Sequence, residues 1–227
     1  QKGAAYVFTR SGTTWSQQQL IQSSDIQASD QFGSNVDIAG NTIVVGALFE
    51  DAGGSNAGAA YVFTRSGTTW TQQQKLVASD AATNDRFGSS SGIYGDTIVV
   101  GAVNENSQAG SAYVFTRSNT TWSQQQKIVG DASGYYDWFG IDVDIEEDTI
   151  VVGAYGDDSG TTQNGEGAAY IFTRSGTTWT QDKKIVSSTR STNAYFGYNV
   201  AIQDNTVIVG AYGESGSTGA AYTFIAG

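Results

Sequence analysis

Apolar positions along this chain come in two alternating textures. One is a short unbroken run, as in Thr149-Ile-Val-Val-Gly-Ala154, the pattern of a strand buried on both faces. The other has a period of two, as in Phe139-Gly-Ile-Asp-Val-Asp-Ile145, where Phe, Ile, Val and Ile are separated by Gly and Asp. A third stretch, Ala168-Ala-Tyr-Ile-Phe172, is again apolar, and a fourth, Trp179-Thr-Gln-Asp-Lys-Lys-Ile185, is polar. In chain order the strand types are A (139–145), B (149–154), C (168–172) and D (179–185). Trp70-Thr-Gln-Gln-Gln-Lys-Leu76 is a second D-type stretch. No segment sustains a helical period. Gly40-Asn41, Gly95-Asp96, Glu147-Asp148 and Asp204-Asn205 between A and B suit two-residue hairpins. Arg-Ser-Gly-Thr-Thr or Arg-Ser-Asn-Thr-Thr turns the chain from C to D. The polarity of D marks it as the solvated outer edge, where Gln and Lys discourage edge-to-edge pairing.

These four stretches are one unit written about four times. Phe-Gly stands at Phe32, Phe87, Phe139 and Phe196, and the glycine after the apolar triplet is Gly46, Gly101, Gly153 and Gly210. The string Gly-Ala-Ala-Tyr-Val-Phe, with small variations, begins at Gly3, Gly58, Gly110, Gly167 and Gly219. Thr-Thr-Trp ends at Trp15, Trp70, Trp122 and Trp179. From the Tyr of the Gly-Ala-Ala-Tyr string to the next Phe-Gly is always 26 residues, and from that Phe to the triplet glycine always 14. From the glycine to the next Tyr is 15, 12, 17 and 12. Constant spacing marks a packed scaffold and variable spacing a surface loop, so length variation is confined to the B–C connection. A repeated four-stranded antiparallel unit of this size predicts a β-propeller blade.

Phe-Gly, Val-Val-Gly-Ala, Gly-Ala-Ala-Tyr-Val-Phe and Thr-Thr-Trp together resemble FG-GAP repeats, the blades of integrin α-subunit propellers. The likeness is closer to the bacterial and algal subfamily with Tyr-Val-Phe-Thr-Arg-Ser and Trp-Gln-Gln signatures, and covers essentially the whole chain. It implies an all-β fold, a single β-propeller domain over 1–227 with about four blades, and an extracellular or cell-surface adhesive role. Two features depart from the family. Leu48, Val103, Tyr155 and Tyr212 replace the proline of the "GAP" motif, and the constant 14-residue spacing leaves no room for the calcium loop that many such blades carry between A and B.

The strand count leaves closure open. The chain reads C-D, three A-B-C-D units, then A-B-C, seventeen strands where four blades need sixteen. The surplus C strand (3–8 or 219–224) either lies redundant in a closed ring or pairs with another chain. Otherwise these residues belong to a longer array.

Composition narrows the chemistry. The chain lacks His, Cys, Met and Pro, which removes Ser-His-Asp triads, thiol nucleophiles, disulfides and imidazole or thiolate zinc sites. Without Met it reads as a processed or excised segment. A net charge of −11 argues against nucleic acid, and no apolar run reaches transmembrane length. Any metal would be held by oxygen ligands, which favours calcium or magnesium.

The B–C loops (47–57, 102–109, 154–166, 211–218) and the D–A loops should meet on one face, which becomes the first-choice site. Its candidate ligand-binding residues are Glu50, Asp51, Glu105, Tyr135, Tyr136, Trp138, Asp157, Asp158 and Glu214. Tyr135, Tyr136 and Trp138 break the repeat. Rings beside carboxylates suit a sugar, although the same rings would also serve to pack a blade junction. Asp157 and Asp158 are candidate calcium ligands, as are Asp142 and Asp144, which alternate with Glu146 and Asp148 so that four carboxylates would share one strand face. The opposing reading makes Asp142 and Asp144 a solvated edge. It makes the loop aspartates, including Asp30, Asp85 and Asp137 before Phe-Gly, turn caps. No carboxylate pair stands out as a glycosidase acid and base. Asn119-Thr-Thr is a glycosylation sequon in a C–D turn. The expected function is an extracellular, non-catalytic module binding a glycan or a cell-surface or matrix protein. The alternative is a structural protomer that self-associates through its terminal C strand.

Overall fold

The structure is a computed structural model that describes residues 2–131, 134–158 and 165–226. Its strands form five antiparallel sheets, each in chain order. The first holds β1 (Ala5–Ser11) and β2 (Thr14–Ile21), the C and D types. The second runs β3 (Phe32–Ala39), β4 (Thr42–Ala47), β5 (Ala59–Ser66) and β6 (Thr69–Leu76). The third runs β7 (Phe87–Tyr94), β8 (Thr97–Ala102), β9 (Ser111–Ser118) and β10 (Thr121–Ile128). The fourth runs β11 (Val143–Glu146), β12 (Thr149–Ala154), β13 (Ala168–Ser175) and β14 (Thr178–Ile185). The last has β15 (Phe196–Gln203), β16 (Thr206–Ala211) and β17 (Ala220–Ile225). The only helices among the described residues are the single turns α1 (Glu105–Gln108) and α2 (Glu214–Ser217) in two B–C loops. This is the all-β, blade-by-blade architecture of a propeller.

The core lies between sheets, as the B runs require. Val44, Ala60 and Val62 pack against Ile93, Ile98, Val100, Tyr113 and Phe115 of the next sheet. Val99, Ala112 and Val114 meet Val143, Ile145, Ile150 and Tyr170 in the same way. Each of the Val, Ile and Phe side chains contributes roughly 1.5–3 kcal/mol on burial, which no sheet collects alone. The two invariant glycines of each unit explain the fixed spacing. A Cβ on Gly46, Gly101 or Gly153 would lie 2.0, 2.2 or 1.9 Å from the carbonyl oxygen of Gly88, Gly140 or Gly197 in the following sheet. Strand B of one blade and Phe-Gly of the next therefore touch backbone to backbone.

The A–B and C–D connections are two-residue turns. Asn119, at φ 57°, takes the left-handed place held by Gly12, Gly67 and Gly176, which Asn tolerates well. Two expectations need correction. Strand A of the third unit was expected from Phe139 but begins at Val143. There the Gly140 N–H donates to Gly153 O and the Gly153 N–H to Asp142 O, both at 2.9 Å, which bends the chain before regular pairing starts. Strand D is not simply a solvated edge. The Gln74 amide donates to the Trp122 carbonyl and accepts from the Trp122 N–H, both at 2.8 Å, while Gln73 accepts from the Trp122 indole. Gln18–Gln19 hold Trp70 and Gln125–Gln126 hold Trp179 likewise. These glutamines act as substitute peptide groups that join neighbouring blades.

The run of sheets is open. β1 pairs only with β2 and β17 only with β16. At the first end Val36 and Ile38 are 56% exposed, whereas their counterparts Val143 and Ile145 are buried. At the other end Ile208 is 45% exposed where Val44, Val99 and Val151 are buried.

Candidate functional site: an aromatic platform on the loop face

The residue before Phe-Gly takes a left-handed conformation in every unit: Gln31 at φ 56°, Arg86 at 58°, Trp138 at 52° and Tyr195 at 53°. In the last two units it lies on the aromatic residue that follows strand B. Trp138 stacks on Tyr155 with ring centres 4.8 Å apart and planes 6° from parallel, and Tyr195 stacks on Tyr212 at 4.9 Å and 16°. Tyr155 crosses to the next sheet, meeting Tyr195 at 5.9 Å and Tyr198 at 5.3 Å, and Tyr198 meets Tyr212 at 4.8 Å. Tyr136 extends the row beyond Trp138 at 5.7 Å. Six rings thus form one continuous strip across a blade junction, with Tyr136, Tyr198 and Tyr212 exposed. Small residues underlie it: a Cβ on Gly156 would lie 2.5 Å from the Trp138 ring, and one on Gly213 2.9 Å from the Tyr195 ring.

The strip meets the packing expectation for the aromatic break, because its rings span the blade junction, and three of them are exposed. Trp138 and Tyr136 lie in it; Tyr135 is exposed and has no ring partner among the described residues. Sequence reading did not assign Tyr155, Tyr195, Tyr198 or Tyr212 to a site. For Tyr155, Tyr195 and Tyr212 the signal was present in aligned positions: Leu48, Val103, Tyr155, Tyr212 in one column and Gln31, Arg86, Trp138, Tyr195 in another. Burial, with the neighbouring phenols, pushes Tyr155 up to about 12. Its hydroxyl is therefore a neutral donor at ordinary pH.

The carboxylates expected on this surface mostly turn inward. Glu50 and Asp25 grip the Lys75 ammonium at 2.7 and 2.8 Å, above the Tyr61 ring. Glu105 and Asp80 do the same for Lys127 above Tyr113, and Asp157 for Lys184 above Tyr170. Glu50 and Asp157 are buried, and so is Glu214, which accepts from Thr189 Oγ1 at 2.6 Å and Ser191 Oγ at 3.2 Å. These four candidates serve blade packing, not an open acidic surface. Asp51 accepts from the Asn56 N–H at 2.8 Å, and Asp158 from the Glu166 N–H at 3.3 Å. Asp30 and Asp85 each accept a backbone N–H from three residues upstream at 2.7 Å, and Asp137 does so from Gly134. The turn-cap reading describes their geometry.

The proposed calcium ligands are likewise engaged. Asp142 accepts the Val200 N–H at 2.9 Å and Asp144 the Ile202 N–H at 2.8 Å, so both staple strand A to the next blade. Glu146 accepts from the Asn205 N–H, and Asp148 from Arg174. The row of carboxylates is accommodated by backbone amides of the next blade and by Arg174. Among the described residues no group of three or more His, Cys, Asp or Glu is placed to hold a metal ion.

These contacts predict a pH signature. Burial pushes Asp142 and Asp144 above the ordinary carboxylate value, although the amide N–H groups pull the other way. A carboxyl raised on folding stabilises below its unfolded pKa of about 3.9, and that contribution is lost as pH rises through the folded value. Asp25 and Asp80 have the opposite sign. Burial raises them, but hydrogen bonds, from Lys75 and Ser23 to Asp25 and from Lys127 and Tyr113 to Asp80, outweigh it and leave them lowered. Their contribution is present above the unfolded value and is lost as pH falls through the folded one. Asp142→Asn, which keeps an oxygen for the Val200 N–H, should therefore gain on the wild type between pH 4 and pH 7 in urea titrations. A difference independent of pH would contradict this assignment.

The fold and strip define a repeat-built β-propeller scaffold carrying an aromatic loop-face platform. The family model for the FG-GAP repeat matches residues 15–63, 70–115, 122–172 and 179–224. The chain belongs to the FG-GAP repeat family, whose repeats are typical of extracellular or surface proteins. No curated protein matches the chain.

Proposed function

We propose that this chain is a non-catalytic, extracellular binding and adhesion module that docks a glycan on the strip formed by Tyr136, Trp138, Tyr155, Tyr195, Tyr198 and Tyr212. The observation that carries this reading is the strip itself. The negative face of an aromatic ring attracts the polarised C–H face of a pyranose. A row of rings presents that face repeatedly, while neutral phenols reach sugar hydroxyls. An open platform accommodates a chain of sugars more readily than a single one. Calcium has no part in this reading, because Asp142, Asp144 and Asp157 already have protein partners. The absence of His and Cys supports a binding role over a catalytic one.

A glycan array probed with and without EDTA tests the reading. Binding should survive the chelator and fall at least about tenfold in Trp138→Ala, which corresponds to about 1.4 kcal/mol. Silence on the array, or binding indifferent to Trp138→Ala, would overturn it. Binding that disappears with EDTA would restore a calcium-dependent site. Capture of a purified matrix protein by an array-silent chain would make the platform a protein-docking surface.

A further inference from the structure

We propose that the ligand of the platform is an anionic glycan, and that Arg86, stacked on Phe49, is the subsite for its carboxylate or sulfate groups. This rests on the glycan reading and names the class of glycan. Trp138 and Tyr195 hold the position before Phe-Gly in the third and fourth units, and Arg86 holds it in the second. All three share a left-handed backbone, with φ 58° at Arg86 against 52° and 53°. They are anchored alike, each backbone N–H donating to a carbonyl in the preceding blade's B–C loop. The acceptor is Asn56 O at 3.2 Å for Arg86, Gln108 O at 2.9 Å for Trp138 and Gly165 O at 2.9 Å for Tyr195. Arg86 therefore leaves the scaffold at the same place on the loop face, one blade before Trp138. Tyr155 already bridges a step of that kind, from Trp138 at 4.8 Å to Tyr195 at 5.9 Å.

At all three places a planar group lies on a ring. Trp138 stacks on Tyr155 and Tyr195 on Tyr212, and the Arg86 guanidinium carbon lies 5.3 Å from the centre of the Phe49 ring. Phe49 belongs to the preceding B–C loop, next to Leu48, the counterpart of Tyr155. Arg86 and Phe49 are half-buried, as are Trp138, Tyr155 and Tyr195. A guanidinium seated on a ring gives up little further freedom when a ligand arrives.

Charge singles Arg86 out. The chain has 22 Asp and Glu for 11 Lys and Arg, so acids are plentiful. Lys75, Lys127, Lys184, Arg117, Arg174 and Arg190 each hold a carboxylate. Arg86 holds none among the described residues, although Asp85 adjoins it in sequence. Asp85 turns inward to the Ala82 N–H at 2.7 Å, and Asp51, in the loop that carries Phe49, accepts the Asn56 N–H at 2.8 Å. A half-buried guanidinium with no carboxylate of its own, one blade beyond a row of rings, suits an anion brought by the ligand. Its two parallel N–H groups match the oxygens of a carboxylate or sulfate. The overall charge of −11 opposes such a ligand at long range. Physiological salt screens that field beyond about 8 Å, whereas a pair in contact is screened much less.

An array of uronate and sulfated oligosaccharides, each beside its carboxyl-reduced or desulfated counterpart, tests the subsite and separates the two anions. At low salt the acid member of a pair should bind at least about tenfold more tightly, the worth of one charge-assisted fork. The preference should shrink as salt rises. Titration calorimetry on that pair should show that Arg86→Gln abolishes the preference and leaves the neutral member within about twofold of the wild type. Gln31 holds this position in the first unit at φ 56°, so glutamine fits the backbone. Arg86→Lys, which keeps the charge and loses the planar fork, should retain only part of the preference. Trp138→Ala should weaken both members. Acid and neutral members bound equally, or an acid preference that survives Arg86→Gln, would overturn the subsite while leaving a Trp138-dependent platform standing. Silence towards every member would overturn the glycan reading and the subsite with it.

Discussion

Gly153→Ala is expected to destabilise the chain by about 3 kcal/mol or more, lowering its melting temperature by roughly 6–12 °C, while Gly210→Ala leaves a monomer almost untouched. The two glycines hold equivalent places in equivalent strands. At Gly153 the added carbon would sit 1.9 Å from the Gly197 carbonyl, a backbone atom that cannot swing away. Either the blades part, exposing Val151 and Ile171 on one side and Val200 and Ile202 on the other, or the strands bend and lose register. At Gly210 no neighbouring blade stands in the way. Because Ala is otherwise the better residue in a strand interior, the contrast isolates the backbone contact between blades. Thermal melts of the two variants in dilute solution measure it, and equal losses would show that the glycine serves its own strand instead.

Lys127→Met should cost about 2 kcal/mol, below the range for a fully buried pair because the lysine keeps partial solvent contact. The substitution leaves Glu105 and Asp80 facing one another beside Tyr113 with no cation between them. Their repulsion adds to the desolvation that the ammonium had offset. The methionine stem keeps the packing over the Tyr113 ring, so the loss is electrostatic. Glu105→Gln added to Lys127→Met should recover more than half of it, and a double-mutant cycle reads that coupling directly. A cycle with no coupling would mean that lysine and carboxylate contribute separately.

Much of the frame could be read from the sequence because it depends on local rules. The unbroken run at 149–154 became β12 with those bounds, and Gly40-Asn41 and Gly95-Asp96 made the expected turns. The constant 14-residue spacing reflected a rigid hairpin fixed at both ends by glycine contacts. What escaped were contacts between residues distant in the chain, within a blade as for Lys75 and Glu50, 25 residues apart, and between blades as for Gln74 and Trp122, 48 apart. A polar strand therefore looked solvated, and loop acids looked available for ligand. The platform was half legible. Trp138 and Tyr136 stood out as departures from the repeat, but Tyr155 and Tyr198 join them only because one blade's loop lies against the next blade's first strand.

The claim that rests on all of this is that the six-ring strip is a ligand surface. It is tested most directly by isothermal titration of an oligosaccharide, selected on the array, into the wild type, Trp138→Ala, Tyr212→Ala and Trp15→Phe. The account predicts saturable binding that weakens about tenfold or more in the first two variants, whose rings lie in the strip. It predicts unchanged binding in Trp15→Phe, whose ring lies outside it. Equal affinity in all four proteins would place the ligand elsewhere and contradict the account.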